Sequence, residues 1–281
     1  MRILAGILVL VALAAASPDL VNRAAELYQR TEYKDSLQIL AQDHSPDASN
    51  YLLSGKNYFM LGDYKKATEL FEKALASSPN SSEAELWLGR TWGRRAETSS
   101  LMAVVYAGRT RQCFEKAVAM DPHNREAKND LFDFYLNAPG IMGGGTDKAE
   151  AAAKSIANER PPEYEFEEAQ LAEKRNDYAG AEAHLRRAME LAPQESGRVV
   201  DLARFLAKRG RLEESDSLFD RARALGPNKP GIAFAEARTA IENHRHPDQA
   251  RKLLRDYLQA SLTPDDPPRQ EAEKLLRRAG E

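Results

Sequence analysis

A set of eight spaced positions recurs along this chain and constrains its fold more than any other feature. In each copy, small residues alternate with larger apolar ones at spacings of mostly three or four, and a proline closes the copy. Such spacings place side chains on one face of a helix, and proline lacks the amide donor that a continuing helix needs. Each copy therefore predicts two short helices joined by a tight turn. The clearest copies, the last two offset by 34 residues, are Gly55, Tyr58, Gly62, Tyr64, Ala67, Phe71, Ala74 and Pro79; Ala169, Ala172, Asn176, Tyr178, Ala181, Leu185, Ala188 and Pro193; and Ala203, Leu206, Gly210, Leu212, Ser215, Phe219, Ala222 and Pro227.

This pattern resembles the tetratricopeptide repeat, whose period is 34 residues. The resemblance implies an all-α fold, a right-handed superhelical solenoid of antiparallel helix pairs. One pair cannot bury its apolar face alone, so the pairs stack on each other and the last needs a polar cap. Proteins with this repeat are mostly scaffolds that bind partner proteins, and the repeat itself carries no chemistry.

Extending the pattern predicts seven repeats in one continuous domain, followed by a capping helix. The first repeat is degenerate, and the second matches the pattern most completely. The predicted repeats are 17–45, 48–81, 82–122, 125–160, 162–195, 196–229 and 231–264, and the predicted cap is 265–281.

The first sixteen residues differ from the rest of the chain. Arg2 precedes an uninterrupted apolar run from Ile3 to Leu13, and three alanines follow it. This pattern is typical of a secretory signal peptide. A retained anchor is the alternative, but the apolar stretch would span only about 21 Å of a hydrocarbon core of about 30 Å. We expect cleavage after about Ala16, a periplasmic or secreted mature chain, and no membrane span after cleavage.

The first helix of each repeat is expected to line a concave groove. In its N-terminal half this groove combines cations with apolar residues, which suits a peptide or helix that carries acidic and apolar side chains. The alternative is a solvated amphipathic face. The predicted partner-binding residues are Leu52, Lys56, Phe59, Leu86, Arg90, Arg94, Asp133, Gln170, Arg204 and Lys208.

Two insertions interrupt the repeat pattern. One lies within 94–108 of the third repeat and predicts either two longer helices or a protruding loop. The other is the Gly-rich stretch 139–145 of the fourth repeat, after which Thr146 is a plausible N-cap. We expect Ile141 and Met142 to anchor this loop on the fold or to contact a partner at its rim. Each insertion is either a tolerated loop or a rim element that touches the partner.

Charge and motifs favour no catalytic or cofactor site. The 40 basic and 43 acidic residues are intermixed, without the basic face that nucleic-acid binding needs. Cys113 is the single cysteine, so a cysteine zinc site is excluded, and its pattern indicates a small buried side chain. His244 and His246 are two residues apart, which is the wrong spacing for one helical face, and Lys148 does not follow a glycine as a phosphate-binding loop requires. We expect no enzyme activity, no metal, no cofactor, no nucleic acid and no small-molecule substrate.

The sequence therefore predicts a non-catalytic interaction scaffold of the cell envelope that binds a partner protein or peptide in its groove. The alternative keeps the fold but changes the role. In it, the chain is a structural subunit of an envelope assembly that acts through its convex face or its end helices.

Overall fold

The computed structural model describes residues 18–280, and the predicted signal segment 1–16 lies outside this range. Within the described residues there are fifteen α-helices, one short 3₁₀ helix and no strand. Fourteen of the α-helices pack as consecutive pairs, and each pair contacts the next along the chain. The chain is therefore the all-α array of stacked helix pairs that the repeat predicts.

The helix pairs follow the sequence repeat closely. The pairs are α1 (Pro18–Gln29) with α2 (Tyr33–Leu40), α3 (Ala48–Met60) with α4 (Tyr64–Ser77), α5 (Ser82–Glu97) with α6 (Ala103–Met120), α7 (Arg125–Asn137) with α8 (Thr146–Ile156), α9 (Pro161–Lys174) with α10 (Tyr178–Leu191), α11 (Ser196–Lys208) with α12 (Leu212–Leu225), and α13 (Pro230–Glu242) with α14 (Pro247–Gln259). The last helix, α15 (Arg269–Arg278), packs on α13 and α14, where its Ala272 and Leu275 join the terminal core cluster.

Small residues on the first helix of a pair make room for an aromatic ring on the second. A Cβ added at Gly55 would lie 2.6 Å from the Phe71 ring, and one added at Gly89 would lie 2.6 Å from the Phe114 ring. No real Cβ tolerates such a distance, so glycine is required for this crossing. Phe71 also stacks on Trp87 of the next repeat, with ring centroids 6.3 Å apart. One ring thus joins its own helix pair to its neighbour.

Short polar side chains begin several helices by accepting hydrogen bonds from the free amides of the first turn. Asp63 caps α4, Asn124 caps α7 and Asp177 caps α10 in this way. At α5 the cap is Ser81, whereas the neighbouring Ser82 donates its hydroxyl to the Ala117 carbonyl at 2.8 Å.

One edge of the array carries the turns from the first to the second helix of each repeat; we call it the turn edge. Three of these turns place a residue in the left-handed region at intervals of 34 residues: Asn176 (φ 61°), Gly210 (φ 76°) and His244 (φ 54°). Polar contacts join successive repeats along this edge, including Arg175 to Glu150 at 2.6 Å and Arg211 to Glu182 at 2.6 Å.

The insertion in the third repeat lengthens both of its helices. Helix α5 has 16 residues and α6 has 18, whereas α9 to α12 have 13 or 14. The connection between them, residues 98–102, therefore stands beyond the neighbouring turns. Of the two outcomes that the sequence left open, the structure has the longer helices.

The glycines of the fourth repeat build a tight loop around a 3₁₀ turn, Gly140–Met142. Gly143 has φ 97° and Gly145 has φ 157°, and a Cβ at Gly144 would lie 1.9 Å from the Ala138 carbonyl oxygen. Lys148 donates to the Gly143 carbonyl at 2.8 Å and closes the loop. Thr146 is the first residue of α8 rather than its cap, because Gly145 occupies the cap position without a side chain to offer.

Candidate binding groove

The first half of the array encloses a cavity of about 1050 Å³. The first helices α1, α3 and α5 line it, together with the residues that begin α7. Its opposite side is the Pro264–Pro268 segment that connects α14 to α15. The two ends of the array therefore face each other across this cavity.

Aromatic rings form one wall of the cavity. Phe59 packs edge-on against Trp87 with centroids 5.2 Å apart, and against Tyr64 at 5.5 Å. Lys56 and Arg90 lie over the Trp87 ring, at 5.3 Å and 4.8 Å from its centroid. Such cation–π contacts hold both the cations and the indole in place. The wall is thus a fixed apolar surface flanked by charge.

The cations of this wall already have acidic partners. Lys56 pairs with Glu83 of the next repeat. Arg90 binds Asp130 at 2.6 Å and Glu126 at 2.9 Å, both on α7. The charges of the groove therefore link neighbouring repeats and are largely compensated within the chain.

Further along the concave face, carboxyl groups with raised pKa values take the place of the compensated cations. Desolvation by the surrounding protein, followed by the nearby Asp130 and Glu163 charges, raises the pKa of Asp133 to about 6, although its side chain still reaches solvent. Burial is also the main cause that raises the pKa of Glu167 to about 8, and Glu163 adds to it. Burial raises the pKa of Asp201 to about 6, although Arg198 opposes the shift. At neutral pH, Glu167 therefore holds a proton that an exposed carboxyl group would release, whereas Asp133 and Asp201 do so only below about pH 6.

Comparisons with known families and solved structures agree with the stacked helix pairs. Residues 48–81 and 172–233 match family models described as tetratricopeptide repeat. No curated protein matches the chain. A tetratricopeptide repeat protein from Parabacteroides merdae superposes with a TM-score of 0.62 at 11% identity, covering 94% of this chain and 98% of that one.

Two further solved structures share the fold. A thermophilic TPR protein from Thermus thermophilus has a TM-score of 0.54 at 18% identity, over 67% of this chain and 97% of that one. The APC/C hetero-tetramer Cut9-Hcn1 has a TM-score of 0.51 at 16% identity, over 94% of this chain and 49% of that one. At these identities the likeness shows the fold alone.

The chain is a tetratricopeptide repeat protein. Its family models lie in the second repeat and from within the fifth repeat to the end of the sixth, which are stretches without insertions. Repeats of this kind generally serve as non-catalytic scaffolds for protein–protein interaction. Interaction with other proteins is accordingly the general role of this TPR protein.

The TPR helices bring five of the predicted partner-binding residues around the large cavity: Lys56, Phe59, Leu86, Arg90 and Arg94. Three others, Gln170, Arg204 and Lys208, lie around a separate cavity of about 150 Å³. The predicted groove residues therefore form two sets rather than one continuous surface.

Two of the predicted apolar contacts also take part in core packing. Leu86 is only 2% exposed and packs with Phe114, so its side chain has little surface to offer. Leu52 is partly buried against the cluster of Ala67 and Phe71.

Trp87 is the groove residue that the prediction missed. It lies with Glu83, Arg90 and Arg94 on one stripe of α5, at spacings of four, three and four residues. This stripe was visible in the sequence and would have placed Trp87 beside the cations. Trp92, the other tryptophan, is buried at 5% exposure.

The remaining predicted features lie outside the groove. Ile141 does not anchor the Gly-rich loop, because it is 82% exposed, whereas Met142 is partly buried. Cys113 is buried, and burial together with the nearby Glu85 raises its pKa to about 12. Within residues 18–280, no helix is long and apolar enough to cross a bilayer, and no three His, Cys, Asp or Glu side chains are grouped to hold a metal ion.

Proposed function

We propose that this TPR protein holds a segment of a partner protein in the N-terminal cavity, with Trp87 and Phe59 as the main contact surface. The observation that carries this proposal is the aromatic wall, which is preformed and flanked by charged side chains. Aromatic residues in such positions dominate the free energy of protein–protein binding. Since the wall is held by neighbouring repeats before a partner arrives, little ordering is needed on binding.

The size of the cavity favours a peptide segment over a small molecule. Small-molecule sites usually measure about 300–1,000 Å³, and this cavity of about 1050 Å³ is open at its sides. A helix with its side chains is about 10–12 Å wide, so one or two turns, or a short extended segment, would fill this space.

The charged side chains of the cavity should influence the choice of partner less than the aromatic wall does. Because Lys56 and Arg90 have carboxylate partners within the chain, an acidic partner residue would have to displace Glu83, Glu126 or Asp130. We therefore propose that apolar and aromatic side chains anchor the partner, and that acidic side chains contribute at Arg94, whose pairing with Glu97 at 2.9 Å is exposed to solvent. A phosphate-rich ligand would also have to displace these carboxylates, so it should bind weakly.

We further propose that the protein works in the cell envelope, since residues 1–16 have the signal-peptide pattern. In a bacterial host, the mature chain should be recovered from the periplasm or medium with Ser17 at its N-terminus. N-terminal sequencing measures this directly. An intact Met1 on soluble cytoplasmic protein would contradict the localisation and leave the groove proposal standing.

The groove is tested with Trp87. The protein is used to capture partners from an envelope extract, and peptides covering a captured protein are then titrated. Trp87 is one of only two tryptophans, so in a Trp92→Phe background its fluorescence reports occupancy. We expect Trp87→Ala, which lacks this fluorophore and is therefore titrated by calorimetry, to weaken peptide binding by about tenfold or more, as truncation of a central aromatic contact does.

Leu191→Ala provides the matched control, because Leu191 is 38% exposed and lies outside the cavity lining. It should leave the affinity unchanged. If Trp87→Ala and Leu191→Ala bind a captured peptide equally well, the partner occupies another surface and the groove proposal is wrong.

A further inference from the structure

Most of the exposed large hydrophobic side chains lie on the turn edge. Within residues 18–280 nine such side chains are exposed, and only Met120 and Leu191 lie at the opposite edge, where second helices end. The seven on the turn edge are Leu61, Leu101, Met102, Val104, Val105, Ile141 and Tyr178. Scattered single residues would need no explanation, but a one-sided distribution indicates a contact surface.

Four of the seven form the end of the lengthened third repeat. Leu101, Met102, Val104 and Val105, which we call the apolar tip, occupy the connection between α5 and α6 and the first turn of α6. Leu101 is 94% exposed, and the two valines are 49% and 48% exposed. The tip therefore projects its aliphatic side chains into solvent.

The second insertion adds to the same surface. The Gly-rich loop of the fourth repeat packs on α6, and Gly143 lies so close to Arg111 that a Cβ there would be 2.8 Å from its Cδ. From this loop Ile141 extends with 82% of its surface exposed. Both departures from the regular repeat thus present aliphatic side chains at adjacent places on one edge.

The charge around the tip is positive. No Asp or Glu occurs from Thr98 to Phe114, a stretch that includes Arg109 and Arg111. Arg95 lies in the last turn of α5, and the acids that flank the stretch, Glu97 and Glu115, pair with Arg94 and Arg111, which leaves Arg95 and Arg109 as the cations nearest the tip. At about 1.5 Å per residue, Arg109 lies roughly 6–9 Å behind the tip. Apolar faces of surface-bound proteins enter the bilayer by about 5–10 Å, so the arginines would reach the phosphate level when the tip is inserted.

We propose that the apolar tip, with Ile141 beside it, docks this protein on the surface of a bilayer that contains anionic phospholipid. A protein partner would need a pocket shaped for each isolated side chain, whereas fluid hydrocarbon accepts them without a matching shape. The acid-free stretch and its arginines complement anionic headgroups. This site is separate from the groove, so a docked molecule keeps the groove free for a partner protein.

Vesicle flotation tests the proposal. The chain from Ser17 to Glu281 keeps every helix described and lacks the apolar run that would bind vesicles by itself. It is mixed with vesicles of phosphatidylcholine and phosphatidylglycerol, or of phosphatidylcholine alone. We expect partition onto the mixed vesicles, and a loss of about tenfold or more in the variant L101S/V104S/V105S. Arg109→Gln should weaken binding to the mixed vesicles by about fivefold and leave the weak binding to phosphatidylcholine unchanged.

The matched control is M120S/L191S, which removes the two exposed side chains of the opposite edge and should float like the unaltered chain. Circular dichroism shows whether each variant keeps its helices. Partition that the tip variant leaves unchanged, or no partition at all, overturns the proposal. It is also overturned if the chain dimerises in lipid-free buffer and the tip variant is monomeric, because the tip is then a protein interface.

Discussion

Repeats two to four and repeats five to seven are built from the same helix pair, but they differ in their turns and in their concave charges. The turns of the later repeats place a left-handed residue at Asn176, Gly210 and His244, as the second repeat does at Gly62, and the seventh has another at His246. The third and fourth repeats instead carry a projecting tip and a Gly-rich loop. On the concave face, Lys56 and Arg90 of the earlier half are paired, whereas the later half buries carboxyl groups with raised pKa values.

This difference shows which parts of a repeat are constrained by stacking and which are free to vary. The crossing of Gly89 with Phe114 is kept in the third repeat although its helices are longer, since loss of that contact would open the core. The turn edge touches solvent and tolerates insertions, so exposed features accumulate there. Substitutions in the two halves should therefore differ in the size of their effects.

The largest effect is expected at Gly144 in the fourth repeat. An alanine Cβ there would lie 1.9 Å from the Ala138 carbonyl oxygen and 2.6 Å from its carbon, and backbone atoms cannot move aside cheaply. Gly144→Ala should therefore lower the free energy of unfolding by about 3 kcal/mol. Urea unfolding measures the loss, and hydrogen exchange should show it first in Thr146–Ile156.

Gly140→Ala is the control within the same loop, since no atom lies within 4 Å of a Cβ at that position. Its effect should stay below about 1 kcal/mol. Equal losses for the two variants would mean that the loop is destabilised by any side chain, and that the close approach of Gly144 to Ala138 is not the cause.

Glu167 should make stability depend on pH. Burial raises its pKa from 4.5 to about 8, so between these values the folded chain holds a proton that the unfolded chain releases. The free energy of unfolding should then fall as the pH rises from about 4.5 to 8, at up to about 1.4 kcal/mol per pH unit. Glu167→Gln should remove most of this slope above about pH 6, where Asp133 and Asp201 no longer contribute, and be the more stable protein at pH 8. Thermal unfolding at a series of pH values measures both.

Glu150→Gln serves for comparison, because Glu150 is paired with Lys154 and Arg175, and these bonds lower its pKa. Glu150→Gln should leave the change of unfolding free energy with pH unaltered above pH 5. A wild-type protein whose stability is flat between pH 5 and 8 would show that Glu167 is ionised in the folded state at neutral pH.

In the earlier half, the paired Arg90 predicts a smaller effect. Arg90→Met keeps the packing on Trp87 but leaves Asp130 and Glu126 without their cation. We expect a loss of about 1 kcal/mol that decreases with added salt. A double-mutant cycle with Asp130→Asn measures the coupling, and additive effects of the two substitutions would show that the pair contributes nothing to stability.

The helix pairs could be predicted from the sequence because burial imposes a periodic pattern. Gly55, Ala67 and Phe71 recur in type at fixed intervals, and the structure gives each the contact that its size demands. Local capping was less predictable. The spacing of Ser82 and Glu85 suggests a cap, but the cap is Ser81, since the choice between adjacent serines depends on the angle at which the chain enters α5.

The sequence predicted which helix faces line the groove, but it did not predict the ion pairs within the groove or the segment that closes it. The first helices of the repeats do present Lys56, Phe59 and Arg90 to one cavity. Their pairing with Glu83, Glu126 and Asp130 depends on the rotation between neighbouring repeats, which no single repeat encodes. The closing of the cavity by Pro264–Pro268 depends on the summed curvature of seven repeats, so no local sequence pattern indicates it.

The smallest effect is expected in the seventh repeat, where His244 occupies a position that Gly210 fills one repeat earlier. His244 has φ 54° and Gly210 has φ 76°, and only glycine adopts this region without steric cost. His244→Gly should raise the free energy of unfolding by about 0.5–1 kcal/mol, and Gly210→His should lower it by a similar amount. The two turns differ further on, because His246 (φ 47°) is also left-handed just before α14, so each substitution is compared with the wild type in urea separately. A loss on His244→Gly would show instead that the imidazole makes contacts that outweigh the strain of its backbone.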